Sequence, residues 1–500
     1  MSETRYTEER PLRERIRQNP RPALAWGAVF ALLVLVEVGA LLSITIDVLK
    51  FVVDIGGGLI NGVVDITGGI QAAKGFLDGL RDAAVQIPTL LSRDLIPNQG
   101  YEVPGRGYVG TFLGLPPAIA WAIRFVLVYA YVFFFLYWIW KGYEVFVTHY
   151  RYADWTPRDD VVRRLRTHRW GQFGFVVVVL FVGLALFAPT LSPVTYQDDA
   201  IDPYGAELKY FDEEAGEVKT TNYGQANLAT ASTGGSNPEN TVTIGEYDQY
   251  GRFHPLGTLP TPGGDMFTKL AYGARVSLFV GLLAIGISGF IAVAFGLLTA
   301  YYKGLADLSV VVVSDSIQAI PAILLLILMS VVFADHWLGD FYNGGLLIAL
   351  VFGFIYWPGI WRLIRGPAMQ VSEQEWVDAA RSYGQRPTVT MRKHMLPYIL
   401  GYLLVYASMT IGGVIITTSA LSFLGIGINP PTPEWGQVVA DGRGYVTTAS
   451  WHIAFVPGIL IVLVVTAFNA LGDGIRDAID PQSEGGGGAA EEAAVAGGGG

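Results

Sequence analysis

The residues best suited to a chemical role lie in a polar segment between two long apolar runs. Within it, Glu375, Asp378 and Arg381 recur at every third position. This spacing suits a helix and allows an ion pair between the last two. Carboxylates early in a helix and an arginine later also suit the helix dipole. Such residues indicate recognition by another protein, because charged groups at an interface set the orientation of the partner.

The neighbouring residues predict the shape of this segment. Ala379 and Ala380 keep its surface small, so that another protein can approach closely. Gly384 supplies a helix stop, and Pro387 suits the first turn of a second short helix that leads to Leu396-Pro397. The segment is therefore predicted to be a helix-turn-helix that projects from a membrane.

Several chemistries are excluded by what the sequence lacks. Without cysteine, thiolate catalysis, iron–sulfur clusters and disulfides are excluded. No Gly-Lys dipeptide occurs, so the loop that holds nucleotide phosphates is missing, and ATP with Mg²⁺ is expected only on a separate ATPase chain. We predict no bound cofactor and no metal site, because the six histidines lack ligand spacing: His149, His168, His254, His336, His394 and His452.

The elements that carry this segment are predicted to be membrane spans. Hydrophobic residues make up 52% of the 500 residues and charged residues only 15%, whereas about a quarter are charged in soluble domains. The net charge of −10 disfavours nucleic acid as a partner. Eight apolar runs can each cross a bilayer core of roughly 30 Å: 23–46, 117–140, 171–190, 275–300, 309–333, 344–364, 398–424 and 452–472. The predicted fold is an all-α polytopic protein in the lipid bilayer.

Lysine and arginine in the short loops predict the orientation. The basic N-terminus, the stretch 151–169, the loop 365–397 and the C-terminus are expected on the cytoplasmic side of the cell membrane. Eight spans then leave both termini inside and the acidic loop 191–272 outside.

The remaining regions have their own composition. Residues 51–100 are weakly apolar and interrupted by glycine, which predicts an interfacial amphipathic helix. Residues 205–250 mix Gly, Asn, Thr and acids, which favours strands or irregular structure. The acidic, glycine-rich tail 483–500 is predicted to be disordered. The acidic, lysine-poor composition has two interpretations, adaptation to high salt or plain compositional bias.

The spacing of the polar segment resembles the cytoplasmic signature of ABC importer permeases: Glu-Ala-Ala, three residues, Gly, nine residues, a hydrophobic residue, any residue, then Leu-Pro. Ala379, Ala380, Gly384 and Leu396-Pro397 match, Asp378 stands for the usual Glu, and His394 takes the usual aliphatic position. The resemblance implies that this stretch, with Glu375 and Arg381, lies in a groove of the ATPase and couples it to the spans. The competing interpretation is an ordinary cytoplasmic hairpin.

Other segments look like the second permease subunit of dipeptide and oligopeptide importers. In the family's order they are His254–Thr258, Tyr272–Leu278, Trp357-Pro358-Gly359, Phe423–Gly427, Pro430–Gly436, Asp441-Gly442-Arg443 and Asn469–Asp477. The resemblance implies a type I permease core of six spans over 171–482, after an N-terminal extension, 1–170, with two extra spans. It also implies a homologous permease, two ABC ATPase domains and an external substrate-binding protein as partners. Leu259–Gly264 replaces the family's usual acidic-Gly-Arg stretch.

Three residues inside the predicted spans are candidates for the pathway. Asp315 lies in the fifth span, where an ionisable group usually faces the bundle interior or a cavity; the alternative is a role in helix packing. Pro321 and Pro358 are expected to kink their helices, which lets the spans rock.

The external segment 430–436 is a candidate docking loop. Pro430, Pro431, Pro433 and Trp435 give it rigidity suited to contact with a binding protein or the partner permease. The alternative is a packed cap on the bundle.

The predicted function is import of dipeptides or oligopeptides by alternating access. Nickel and short oligosaccharides, also carried within the family, are alternative substrates. An ion-coupled secondary transporter is the alternative from another class, and it is disfavoured because Asp315 looks nearly alone among intramembrane charges. A purely structural scaffold would not need the spaced loop.

Overall fold

The computed structural model describes residues 11–61, 67–87, 89, 92–153, 155–234, 241–333 and 336–479. The predicted disordered tail lies outside these ranges. The chain divides into two compact units, Met1–Asn98 with Gly107–Thr156, and Gln99–Arg106 with Pro157–Gly500. The main part of the second unit begins at Pro157, and the predicted start of the permease core at 171 stays a prediction.

The first unit is helical over most of its described residues. Its helices are α1 (Leu12–Gln18), α2 (Pro20–Val36), α3 (Val38–Asn61), α4 (Thr67–Val85) and α5 (Pro117–His149). Glu37 separates α2 from α3. The run at 23–46 is therefore divided between two helices, whereas the sequence had predicted one span.

Helices α3 and α4 form an antiparallel hairpin joined by ion pairs. Lys74 pairs with Asp54 at 2.5 Å and Arg81 with Asp47 at 2.8 Å. The prediction of a single amphipathic helix over 51–100 is therefore wrong in its number of elements, because charges on both helices face each other across the hairpin.

The strands of the chain are short. They are β1 (Tyr101–Val103), β2 (Gly107–Val109), β3 (Glu207–Asp212), β4 (Glu217–Asn222), β5 (Glu246–Tyr247) and β6 (Phe253–His254). β3 and β4 form an antiparallel hairpin, as do β5 and β6. Strands and loops over 205–250 were the expected structure, and the short α9 is the only helix in the described part of that stretch.

The second unit holds the remaining helices. They are α6 (Pro157–Thr167), α7 (Arg169–Leu186), α8 (Ala188–Leu191), α9 (Tyr223–Ala229), α10 (Met266–Tyr302), α11 (Gly304–Gln318), α12 (Ala322–Val332), α13 (Trp337–Asp340), α14 (Gly345–Ser372), α15 (Glu375–Ser382), α16 (Pro387–Thr390), α17 (Leu396–Phe423), α18 (Trp435–Gly442) and α19 (His452–Ile479).

One apolar core, formed mainly by α7, α10, α14, α17 and α19, holds the second unit together. Small buried residues on α10 recur at helical spacing, and they include Ala274, Gly281, Ala284, Ala292 and Gly296. Small residues let helix backbones approach closely in a membrane. The approach of α14 to α10 is so close that a Cβ on Gly353 would lie 2.8 Å from the Ile287 side chain.

Six helical stretches of the described chain are long and apolar enough to cross a membrane, and they become eight if each of two bent helix pairs is one span. The bent pairs are α1–α2, at 101°, and α11–α12, at 76°. The all-α membrane fold is thus confirmed, and the predicted eight spans are the upper count.

The proline positions behave differently in two spans. Pro321 lies at the break between α11 and α12, where the predicted fifth span bends. Pro358 lies inside α14, which continues through it as one helix. A kink at Pro358 therefore stays a prediction, whereas the bend at Pro321 is confirmed.

Candidate functional site

Helix α15 ends in a Schellman motif on Gly384. This glycine has a φ of +73° in the left-handed region. Its N–H donates to the Arg381 carbonyl at 2.9 Å, and the Gln385 N–H donates to the Ala380 carbonyl at 3.1 Å. These two bonds satisfy the last carbonyls of a helix. The expected helix stop is confirmed, and Pro387 begins α16 as expected.

One side of α15 is buried and the other is open. Val377 is fully buried and attaches the helix to the core of the spans. The opposite surface carries the exposed side chains Glu375, Trp376, Asp378, Ala379 and Tyr383, the last of them 91% exposed. The charged, small and aromatic groups of the predicted docking helix are therefore available to a partner.

Arg381 points back into the protein, which the sequence did not indicate. Its guanidinium lies over the Tyr301 ring, 4.3 Å from the centroid, and donates to the Tyr301 carbonyl at 3.4 Å. Its nearest approach to Asp378 is 3.9 Å, the outer limit of an ion pair. Arg381 thus joins α15 to the end of α10, while Asp378 stays open.

The return to the membrane is continuous. Five residues, Met391–Met395, form a π-helical turn between α16 and α17. Leu396-Pro397 then opens α17 with the proline in its first turn, where the missing N–H costs no hydrogen bond. A displacement of α15 can therefore reach two spans, α14 before it and α17 after it.

Two ion pairs join α11 to α14. Asp307 accepts from Arg365 through both carboxylate oxygens, and Asp315 accepts from Arg362. Gln318 also accepts from Arg362, at 2.9 Å. The expectation that Asp315 is nearly alone is wrong, because its partner lies 47 positions away in the sequence. Arg362 and Arg365 are three apart and share a face of α14, but this spacing does not indicate which residues they pair with.

The segment 430–436, the candidate docking loop, is divided between surface and core. Pro430 and Pro431 are exposed, but Pro433 is buried and Trp435 is only 1% exposed. The Trp435 indole donates to the Leu270 carbonyl at 2.7 Å. The side chains of Pro433 and Trp435 are already covered by this chain. The predicted docking role of these two residues is therefore replaced by the alternative, a packed cap on the bundle.

A buried charged network lies at the N-terminal end of α10, and no spacing in the sequence predicted it. His254 donates to Asp265 at 2.9 Å and to Asp248 at 3.3 Å, and Arg252 donates to Asp248 at 2.6 Å. The Asp265 N–H donates to Asp199 at 3.0 Å. Because Asp265 also caps α10 by accepting from the N–H three positions on, the network attaches the region before α10 to that helix.

Burial and charge set the protonation of this network. Burial alone would lower the pKa of His254, but its hydrogen bonds to Asp248 and Asp265 raise it to about 9. Burial raises the pKa of Asp199 to about 6, and the charge of Asp265 acts in the same direction. Burial would raise the pKa of Asp248, but Arg252 and His254 hold it at about 2.

Comparison with known protein families matches two parts of the second unit. The family described as binding-protein-dependent transport system inner membrane component matches residues 292–484. The family described as N-terminal TM domain of oligopeptide transport permease C matches residues 156–208. Both matches lie beyond the first 155 residues, so the predicted N-terminal extension, 1–170, is outside them except for residues 156–170.

Individual relatives match over most of their own length. A glutathione transport system permease of Pectobacterium atrosepticum is 31% identical over 325 residues, 65% of this chain and 94% of the relative. A dipeptide transport system permease of Alkalihalophilus pseudofirmus is 29% identical over 66% of this chain and 92% of the relative. One of Bacillus subtilis is 35% identical over 44% of this chain and 66% of the relative.

Proposed function

The chain belongs to the dipeptide and oligopeptide family of ABC importer permeases, and on that premise we propose that it forms, with a homologous permease, the pathway by which short peptides enter the cell. Two separate ATPase domains supply the energy, and an external binding protein delivers the substrate. The relatives named for glutathione and for dipeptides support a short peptide as the substrate.

The exposed surface of α15 is the observation that supports coupling of this chain to the ATPase. It presents Asp378, Ala379 and Tyr383 outward, while Val377 beneath is fully buried. A helix that exposes small side chains and is fixed to the core on its buried side can enter a groove on the ATPase. It can then transmit movement of the ATPase to the spans. Moving a two-state equilibrium from 1:99 to 99:1 needs about 5.5 kcal/mol of differential binding, which ATP-driven closure of the ATPase domains can supply through this contact.

Co-purification with the ATPase tests the coupling. Ala379→Asp adds a charge to the exposed surface of α15 without filling the core. The variant is expected to lose binding of the ATPase and ATP-driven uptake. Thr220→Asp is the matched control, because it adds the same charge to an exposed position on β4, on the predicted external side. Full ATP-driven uptake by the Ala379→Asp variant would refute the docking of α15.

Uptake into proteoliposomes tests the substrate. The permease pair, the ATPase and the binding protein are reconstituted together, and uptake of labelled dialanine is measured with and without ATP. We expect ATP-dependent, vanadate-sensitive uptake of the dipeptide. Uptake of nickel or of a short oligosaccharide in its place would overturn the peptide assignment while leaving the importer class intact.

A further inference from the structure

A cavity lies beside the buried network at the N-terminal end of α10. Its volume is about 300 Å³, at the lower end of the roughly 300–1,000 Å³ of ligand pockets. The wall combines tyrosine and proline with a few polar side chains, and it includes Tyr196, Tyr204, Pro262, Pro431, Asp199 and Gln437. No residue of α15 lines it, so the cavity is separate from the proposed ATPase contact. A cavity of this size and lining suits one small ligand.

The network next to this cavity carries more negative than positive charge. Asp248 pairs with Arg252 at 2.6 Å and with His254 at 3.3 Å, and Asp265 pairs with His254 at 2.9 Å. Burial would lower the pKa of His254, but its two carboxylate partners raise it to about 9, so it is charged at neutral pH. The two cations are thus used by two of the carboxylates. A third carboxylate of the network, Asp199, is left without a cation of its own.

Asp199 is also the carboxylate of the network that lines the cavity. Its hydrogen-bond donors are neutral: the Asn227 side chain donates at 3.1 Å and the Asp265 N–H at 3.0 Å. Among the described residues it forms no ion pair, although it is only 8% exposed. A buried charge without a partner is costly, and burial raises the pKa of Asp199 to about 6. A cation in the cavity offsets that cost.

Other polar groups of the wall also favour a ligand that donates hydrogen bonds. Gln437, 7% exposed, donates through Nε2 to the Ile428 carbonyl at 2.6 Å and to the Thr432 carbonyl at 3.2 Å. Its Oε1 has no donor in the described part of the chain. Lys269 at the rim already donates to Asp441 at 3.0 Å. The wall therefore offers acceptors, while these donors are in use.

We propose that this cavity binds the protonated primary amine of a small organic ligand, with the Asp199 carboxylate as its counter-charge. An ammonium needs only a few acceptors, and aromatic faces such as those of Tyr196 and Tyr204 attract it. A metal ion such as Ca²⁺ requires six to eight oxygen ligands, and the described residues include no group of three carboxylates or histidines that could hold one. The inference goes beyond the proposed function, because it requires neither the ATPase nor transport.

Equilibrium binding to the full chain in lipid nanodiscs, without partners, tests the site. The probe is labelled dialanine amide, whose amino terminus is its only charge. The competitors are unlabelled dialanine amide, N-acetyl-dialanine amide, which lacks the ammonium, and magnesium chloride. The free amine is expected to compete at least about tenfold better than the acetylated form, because a hydrogen bond to a charged group contributes about 1.5–3 kcal/mol. Magnesium is not expected to displace the probe at equal concentration.

Two variants locate the ligand in the cavity. Asp199→Asn removes the counter-charge and is expected to weaken binding of the probe at least about tenfold. Asp198→Asn is its matched control, because this neighbouring carboxylate does not line the cavity. Ala200→Trp fills the cavity from an exposed position of its wall and should also abolish binding. Ala215→Trp, at an exposed position of the β3–β4 turn, is the control for the added ring.

The outcomes decide between the site and its alternatives. Equal competition by the acetylated form, or displacement by magnesium, would overturn the assignment to an organic amine. Undiminished binding by the Ala200→Trp variant would place the ligand elsewhere and overturn the site, even if the Asp199→Asn protein does not fold. These results are independent of the proposed function, which absence of ATP-driven dialanine uptake by the wild type would refute.

Discussion

The guanidinium of Arg381 covers the ring of Tyr301, with 4.3 Å between the guanidinium carbon and the ring centroid. This contact joins the proposed docking helix α15 to the C-terminal end of α10, the longest described helix of the core. A cation over an aromatic face contributes roughly 0.5–2 kcal/mol, depending on its desolvation. Movement of α15 thus reaches α10 directly, in addition to the chain connections to α14 and α17.

Removing the cation is expected to uncouple transport from ATP hydrolysis. Arg381→Ala should keep the ATPase bound, because Arg381 points inward, yet it should lower the number of peptides imported per ATP hydrolysed. Tyr301→Phe keeps the ring and should behave as the wild type, whereas Tyr301→Leu should resemble Arg381→Ala. The ratio of uptake to hydrolysis in proteoliposomes measures this. Loss of the ATPase from the Arg381→Ala complex would show that Arg381 contacts the partner instead.

At Gly384, backbone strain alone is expected to determine how much a substitution destabilises the turn. Its φ is +73°, and nothing lies within 4 Å of an added Cβ, so no steric clash contributes. Gly384→Ala should destabilise the turn by about 1–2 kcal/mol. Gly384→Asn should cost less, because asparagine adopts the left-handed region more readily. Hydrogen exchange of α15 amides reports the difference, and equal protection in the two variants would contradict it.

The region that holds the buried network of His254, Asp248 and Asp265 is expected to lose stability as the pH rises. The protonated His254 is stabilised by Asp248 and Asp265, so its contribution is complete below its ordinary pKa of 6.5 and lost as the pH passes about 9. Asp199 acts in the same direction at lower pH, because burial raises its pKa from 3.8 to about 6 and so favours its protonated form in the fold. Asp248 acts oppositely, and its contribution is lost only below 3.8.

Thermal unfolding of the purified full chain checks this. The melting temperature should fall between about pH 6.5 and 9, and His254→Gln should lower it at pH 6 and flatten the fall. His336→Gln, at an exposed position, is the matched control. An unchanged pH profile in the His254→Gln protein would show that the network does not control the stability of this region.

Trp435 is expected to act in folding and not in docking. Trp435→Phe loses the hydrogen bond to the Leu270 carbonyl, about 1 kcal/mol. Trp435→Ala also leaves a cavity beside Phe181, whose ring lies edge-on at 5.6 Å, and should cost about 3–5 kcal/mol. Leu424→Ala, at an exposed position, should change stability by less than about 0.5 kcal/mol. Unfolding of the chain without partners measures all three, and a stable Trp435→Ala protein that fails only to bind its partner would restore the docking role.

Local patterns in the sequence predicted local structure. Gly384 and Pro387 set a helix end and a helix start through their own backbone preferences, which act within a few residues. The apolar runs predicted the spans for the same reason, since the bilayer fixes their length and polarity. The apolar runs did not show where a helix is interrupted. Breaks at Glu37 and Pro321 divide two of the predicted spans into separate helices.

Pairings between distant segments required the tertiary structure. Asp315 looked nearly alone until Arg362 was brought beside it, and Arg381 looked like a surface cation until Tyr301 was placed under it. The apparent lack of a partner for Asp315 was the argument against an ion-coupled transporter, and the pair with Arg362 removes that argument. The family match instead shows that the chain is an ABC importer permease.

By itself, then, the sequence determined a helical membrane permease with a polar loop of defined residue spacing, because hydrophobicity, proline and glycine act on the chain locally. Only the tertiary structure decided which charges are paired, which way Arg381 points and that Trp435 is covered. Those properties depend on the packing of helices far apart in the chain, and no periodicity or spacing within one segment encodes which residue of another segment will meet it.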